Sequence, residues 1–189
     1  VRARPGGRSA RIRAAVLDAV RRQLSLKGYA AVTPAAVATL AGVDRATVGR
    51  RWPSKAQLVI DAGLELAEDA PPVTVSGDLD RDLRLLARRV AAALGDLGTR
   101  RLIAGFIAAR AEDPELDDLI SRFWANRFGA VRDILDGARD CPDTSAARAE
   151  TVVEVLVAPM YFRAFISGRP IDDALIEKSA AQAAAAARC

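Results

Sequence analysis

The chain has 189 residues, 51% hydrophobic and 28% charged, a balance that builds a core and excludes a disordered chain. It has no histidine and only two cysteines, Cys141 and Cys189. That excludes His-dependent triads and His metal ligands, leaves no zinc site or disulfide framework, and argues against an enzyme, so no cofactor or metal is expected. The net charge of +4 is unevenly placed: residues 1–55 hold twelve Lys/Arg against Asp18 and Asp44, a net of +10, and the remainder carries a net of −6.

Residues 1–8 form a Pro/Gly/Arg arm, expected to be mobile. Its Arg2, Arg4 and Arg8 suit either a minor groove or a solvated tail. No apolar run follows the arm, as a secretory signal would require, and none reaches the ~18 residues of a membrane span. A cytoplasmic protein with no membrane partner is therefore expected.

From Ser9 the apolar residues Ile12, Val16, Ala19, Val20 and Leu24 recur at helical spacing, and Lys27-Gly28 ends the helix. Thr33-Pro34 reads as N-cap and first position of a second, short helix with Val37, Leu40 and Ala41 inside. Gly42 breaks it. A third helix runs from about Asp44 to Arg51 and stops at Pro53. Ser54-Lys55-Ala56-Gln57 is a capping box opening a fourth helix. Residues 70–77, with two prolines and a glycine, read as a linker.

Beyond the linker the pattern stays helical. One helix carries Leu83, Leu86, Val90, Leu94 and Leu97 on one face, and a second carries Leu102, Ile103, Phe106 and Ile107. Asp113-Pro114 opens a long third. Another, over about 145–167, is apolar nearly all round and holds Pro159, which predicts a kink. The last begins near Ile171 and runs into an alanine-rich tail that favours helix. The predicted fold is all-α: an N-terminal three-helix helix-turn-helix domain joined to a C-terminal helical bundle that dimerises. The domains are 1–55 for DNA and 56–189 for ligand and dimer contacts, with 56–69 a connecting helix.

The chemistry lies in residues 33–52, whose capped helix, Gly-containing turn and short second helix have a helix-turn-helix layout. Val37, Leu40, Val43 and Val48 are expected to knit the two helices. That turns Arg45, Ala46, Thr47, Gly49 and Arg50 outward: Arg can bind guanine bidentately, small residues allow close approach, and hydroxyls reach phosphate. Thr33, at a helix N-terminus, can meet a phosphate. The +10 charge on the same third of the chain favours a polyanion.

The run from Thr33 to Leu58, with Ala41-Gly42-Val43, Thr47-Val48 and Arg51-Trp52-Pro53-Ser54-Lys55, resembles the N-terminal domain of TetR-family regulators. Residues 158–165 and Gly168 resemble the penultimate helix of a common subgroup. The resemblance implies that Arg45, Ala46 and Gly49 reach base edges. It implies that Thr33, Thr47, Arg51, Trp52 and Lys55 hold or support the phosphate contacts. Gly49 departs from the family, which usually has a DNA-contacting tyrosine there, and Arg50 is its candidate substitute. From its chemistry, Trp52 reads as an aromatic packed between helices.

The expected function is a repressor, released from a palindromic double-stranded DNA operator by a small hydrophobic or amphipathic effector. A constitutive architectural DNA-binding protein is the alternative. The all-round apolar helix and the last helix make the expected homodimer seam. Phe106, Arg110, Phe123, Trp124, Arg127, Phe128, Tyr161 and Phe162 are candidate effector-pocket residues, although aromatic side chains at helical spacing are equally core.

Overall fold

The computed structural model describes residues 7–68, 75–112 and 117–189, excepting the side chains at 66–68, 112, 119, 120, 122, 123 and 126. Most of the arm, most of the linker, Asp113-Pro114 and the Phe123 side chain lie outside the described residues. Those described are helical, with no strand among them: α1 (Arg8–Lys27), a 3₁₀ turn (Tyr29–Ala31), α2 (Pro34–Ala41), α3 (Arg45–Arg51), α4 (Lys55–Glu68), α5 (Leu79–Gly95), α6 (Leu97–Glu112), α7 (Asp117–Gly137), α8 (Ala146–Phe162), a π-turn (Arg163–Ser167) and α9 (Asp173–Arg188).

The chain forms two compact units, residues 1–70 with 97–120, and residues 71–96 with 121–189. In the first, α1, α2, α3, α4 and α6 enclose one apolar core. Val16, Leu17, Val20 and Leu24 of α1 meet Val37, Val48, Trp52, Leu58, Val59 and Leu102 there. Charged pairs fasten α1 to α4: Arg13 and Arg21 reach Glu65 at 3.0 and 2.8 Å. Gly63 lets α6 close on α4, since a Cβ there would stand 1.7 Å from the Phe106 ring. Arg101 of α6 donates to the carbonyls of Ser25 and Leu26, capping the end of α1.

Two apolar residues sit differently from expectation. Leu40 is 48% exposed. Val37, Ala38 and Ala41 span one arc of α2, and at about 100° per residue Leu40 falls well outside it. Leu97 is 52% exposed and belongs to α6, not to the face of α5, because α5 ends at Gly95 with Asp96 as its cap.

In the second unit, α9 packs on α5 and α8 through Ala180, Ala183, Ala184 and Ala187, all buried. The alanine tail is therefore core. Pro159 lies inside α8, which runs on into the π-turn four residues later. Asp82, 1% exposed, holds the end of the linker by accepting from the Ser76 N–H and hydroxyl, both at 2.7 Å.

On the surface of this unit, Arg188 pairs with Asp80 at 2.5 Å and Asp140 at 2.7 Å, and Arg84 and Arg88 hold Glu177. The hydrogen bond from Arg188 holds Asp80 below the usual carboxylate range, and Arg88 and Arg84 do the same for Glu177. A carboxylate depressed in the fold contributes stability above its unfolded pKa, and that contribution is lost as pH falls through the lower, folded value. Thermal scans should therefore show the melting temperature of this unit falling below about pH 4, with a shallower fall in Arg188→Met. An equally steep fall in the variant would remove these pairs from the acid response.

Candidate nucleic-acid interface

The reading head is built by caps. The Thr33 hydroxyl accepts from the Ala36 N–H at 3.2 Å and Pro34 opens α2. Gly42 ends α2 in the left-handed region, φ 66° and ψ 34°, where a side chain is costly. There the Gly42 N–H donates to Thr39 and the Val43 N–H to Ala38, at 3.3 and 3.0 Å, a Schellman arrangement. Asp44 then caps α3, its Oδ1 accepting from the Ala46 N–H at 2.7 Å. This ties the one acidic side chain of the turn back to the backbone. The Ser54 hydroxyl accepts from Gln57 at 3.0 Å and starts α4.

Only Val48 of α3 is buried. Arg45, Ala46, Gly49 and Arg50 are exposed and Thr47 half-buried, so α3 presents a continuous outer face. Neither Arg45 nor Arg50 has an ion-pair or hydrogen-bond partner among the described residues. Both guanidiniums are free to bind.

The residues implied as phosphate holders divide. Thr33 is exposed beside its cap. Arg51 donates to the carbonyl and hydroxyl of Ser9 at 3.3 and 3.1 Å and stacks on Trp52, 5.4 Å from the ring centroid. Lys55 lies over the Tyr29 ring, its Nζ 3.8 Å from the centroid. Trp52 is 1% exposed and donates from its ring N–H to Asp61 at 2.9 Å. Its burial is that of the packed aromatic its chemistry suggested.

Ser9 and Asp61 are positioning residues that local pattern did not reveal, since their partners lie 42 and 9 positions away. Arg13 and Arg21 face Glu65, so part of the +10 on residues 1–55 is neutralised by α4 rather than offered outward.

The residues expected to line an effector pocket also divide. In the first unit Phe106 packs against the core, and Arg110 is exposed and paired with Asp117 at 3.2 Å. In the second, Trp124 and Phe128 stack with centroids 6.0 Å apart, and Tyr161 meets Phe165 at 5.6 Å. Arg127 and Tyr161 are close enough to interact. Burial lowers the guanidinium pKa of Arg127 and raises the phenol pKa of Tyr161. Phe162 is 56% exposed and borders an open recess of about 400 Å³ at the α8–α9 turn, with Ala158, Pro159, Arg163, Arg169 and Leu175.

Residues 16–62 match the family model for bacterial regulatory proteins of the tetR family, and residues 73–183 match that for the tetracyclin repressor-like C-terminal domain. An uncharacterized HTH-type transcriptional regulator of Mycobacterium tuberculosis is 32% identical over 151 residues, 79% of this chain and 74% of that protein. The crystal structure of the TetR family transcription regulator SCO0332 superposes with a TM-score of 0.74 at 27% identity, covering 93% of this chain and 97% of the other. The multidrug binding protein EbrR, crystallised with imidazole, shares the fold at 20% identity, with a TM-score of 0.64 and coverage of 90% and 93%. With its capped head, its free arginines on α3 and both family models matched, this chain belongs to the TetR family of helix-turn-helix transcriptional regulators.

Proposed function

We propose that the chain is a homodimeric repressor that binds a pseudo-palindromic operator and is released by a small hydrophobic or amphipathic molecule. Residues 1–55 read DNA and residues 56–189 hold the effector and the dimer seam. The observation that carries the operator reading is α3, where two arginines unpartnered among the described residues flank small residues on a face anchored from behind by Trp52 and Ser9. Arg127 and Tyr161, a half-buried cation and phenol, and the stacked rings of Trp124 and Phe128 are the chemistry an amphipathic effector needs. EbrR holds a ligand in the same fold. For release, the effector must bind the operator-competent and operator-incompetent states unequally.

The test is selection of bound duplexes from a randomised library by the full-length protein, followed by titration of the recovered duplex. Two chains should bind one two-fold site. Arg45→Ala should then cost about 1–3 kcal/mol on that duplex and relax base preference at one position of each half-site. An equal loss on random DNA would make Arg45 a phosphate contact only. A screen in which no small molecule alters operator affinity would favour the constitutive architectural reading.

A further inference from the structure

Gly49 occupies the middle of a seven-residue helix, on its exposed face. Glycine there weakens the helix relative to alanine. Two ordinary reasons for such a glycine are absent. Its φ is not positive, so no backbone conformation demands it, and a Cβ built on it meets nothing within 4 Å, so no packing demands it. The space in front of Gly49 is not used by the described residues of this chain.

The neighbours say what the space suits. At about 100° per residue, Gly49 and Ala46 fall between Arg45 and Arg50 on the helical wheel, within an arc of about 140°. The notch thus has a floor of bare backbone and one methyl, walled by two free guanidiniums. Along the axis the arginines are about 7.5 Å apart, close to two base-pair steps of about 3.4 Å. Arginine pairs bidentately with guanine, and small apolar side chains pack on the thymine methyl.

We propose that Gly49 is the close-approach point of α3, seating a thymine methyl against Gly49 and Ala46 between two guanines read by Arg45 and Arg50. The proposal rests on the operator-binding reading and adds the base chemistry of the half-site. It makes Gly49 a specificity determinant through the side chain it lacks.

The test is Gly49→Ala in the full-length protein, assayed on the duplex that the native protein selects from a randomised library. The added methyl should raise the melting temperature, by about 2–4 °C, and weaken binding to that duplex by about tenfold or more, leaving random-DNA affinity unchanged. Gain in stability with loss in affinity is the signature of close approach. A variant that gains stability and keeps its affinity within about twofold overturns the proposal. Replacing the central thymine by uracil removes only its methyl. It should weaken the native protein several-fold and leave Gly49→Ala without further loss. An unchanged native affinity overturns the thymine assignment. Failure of the operator reading looks different: the native protein then enriches no sequence, and Arg45→Ala behaves as native.

Discussion

Replacing Trp52 by alanine should strongly destabilise the reading head. The indole is 1% exposed, lies in the core of the first unit beside Val16, Val48 and Leu58, and anchors its N–H on Asp61 at 2.9 Å. Removing a buried tryptophan loses its transfer free energy and leaves a cavity, for a total of about 3–5 kcal/mol. The Asp61 carboxylate also loses a donor and keeps the more distant Arg13, at 3.9 Å. Set against the about 5–15 kcal/mol by which whole domains are stable, that loss should lower the melting temperature of the head substantially, and operator binding should be lost at temperatures where the variant melts. Trp52→Phe, which keeps a ring and loses only the N–H, should be much milder. Chemical denaturation followed by circular dichroism, run beside DNA titration, separates support from contact. If Trp52 is a support, affinity returns on cooling to a temperature at which the head of the variant is folded. A folded variant that still fails to bind would place the ring on the DNA.

The head was legible in the sequence because its boundaries are set by short-range chemistry. Thr33 and Ser54 make the cap hydrogen bonds their residue types suggested, Gly42 breaks α2 as read, and Asp44 at the start of α3 caps it. Leu40 and Leu97 misled because hydrophobicity marks a preference for burial, while the arc of a helix decides which residues obtain it. Leu40 falls off the arc of α2, and Leu97 falls beyond the cap of α5.

The charged residues were legible as a group and not one by one. Arg50 and Arg51 are adjacent and look alike in the sequence, yet one is free and the other is held by Ser9, 42 positions earlier. No local pattern contains that pairing. The candidate effector residues were not legible one by one for a different reason. Aromatics at helical spacing fill a core or line a cavity equally well, and only packing separates Phe106, set against the head core, from Phe162, open on a recess.

Charges placed on the apolar patch that runs from the end of α8 into the π-turn should split the proposed homodimer. Ala158 and Phe162 of α8 and Ile166 of the π-turn follow one another at four-residue spacing, with Phe162 56% and Ile166 73% exposed. Large apolar side chains exposed together on a single chain point to a partner surface. A two-fold seam brings each patch against its own copy, so one substitution acts twice. Phe162→Glu with Ile166→Glu removes two apolar anchors and sets four like charges into a seam that had none at these positions. Sedimentation should show a monomer at concentrations where the native chain is a dimer. The head is untouched, so affinity for an isolated half-site should be unchanged. Affinity for the full site should fall by about 10²–10⁴, because the second head no longer binds as part of the same molecule. A variant that remains dimeric would move the seam away from α8. A monomer that still binds the full site with native affinity would show that one head suffices, and the two-fold operator would then be the wrong target.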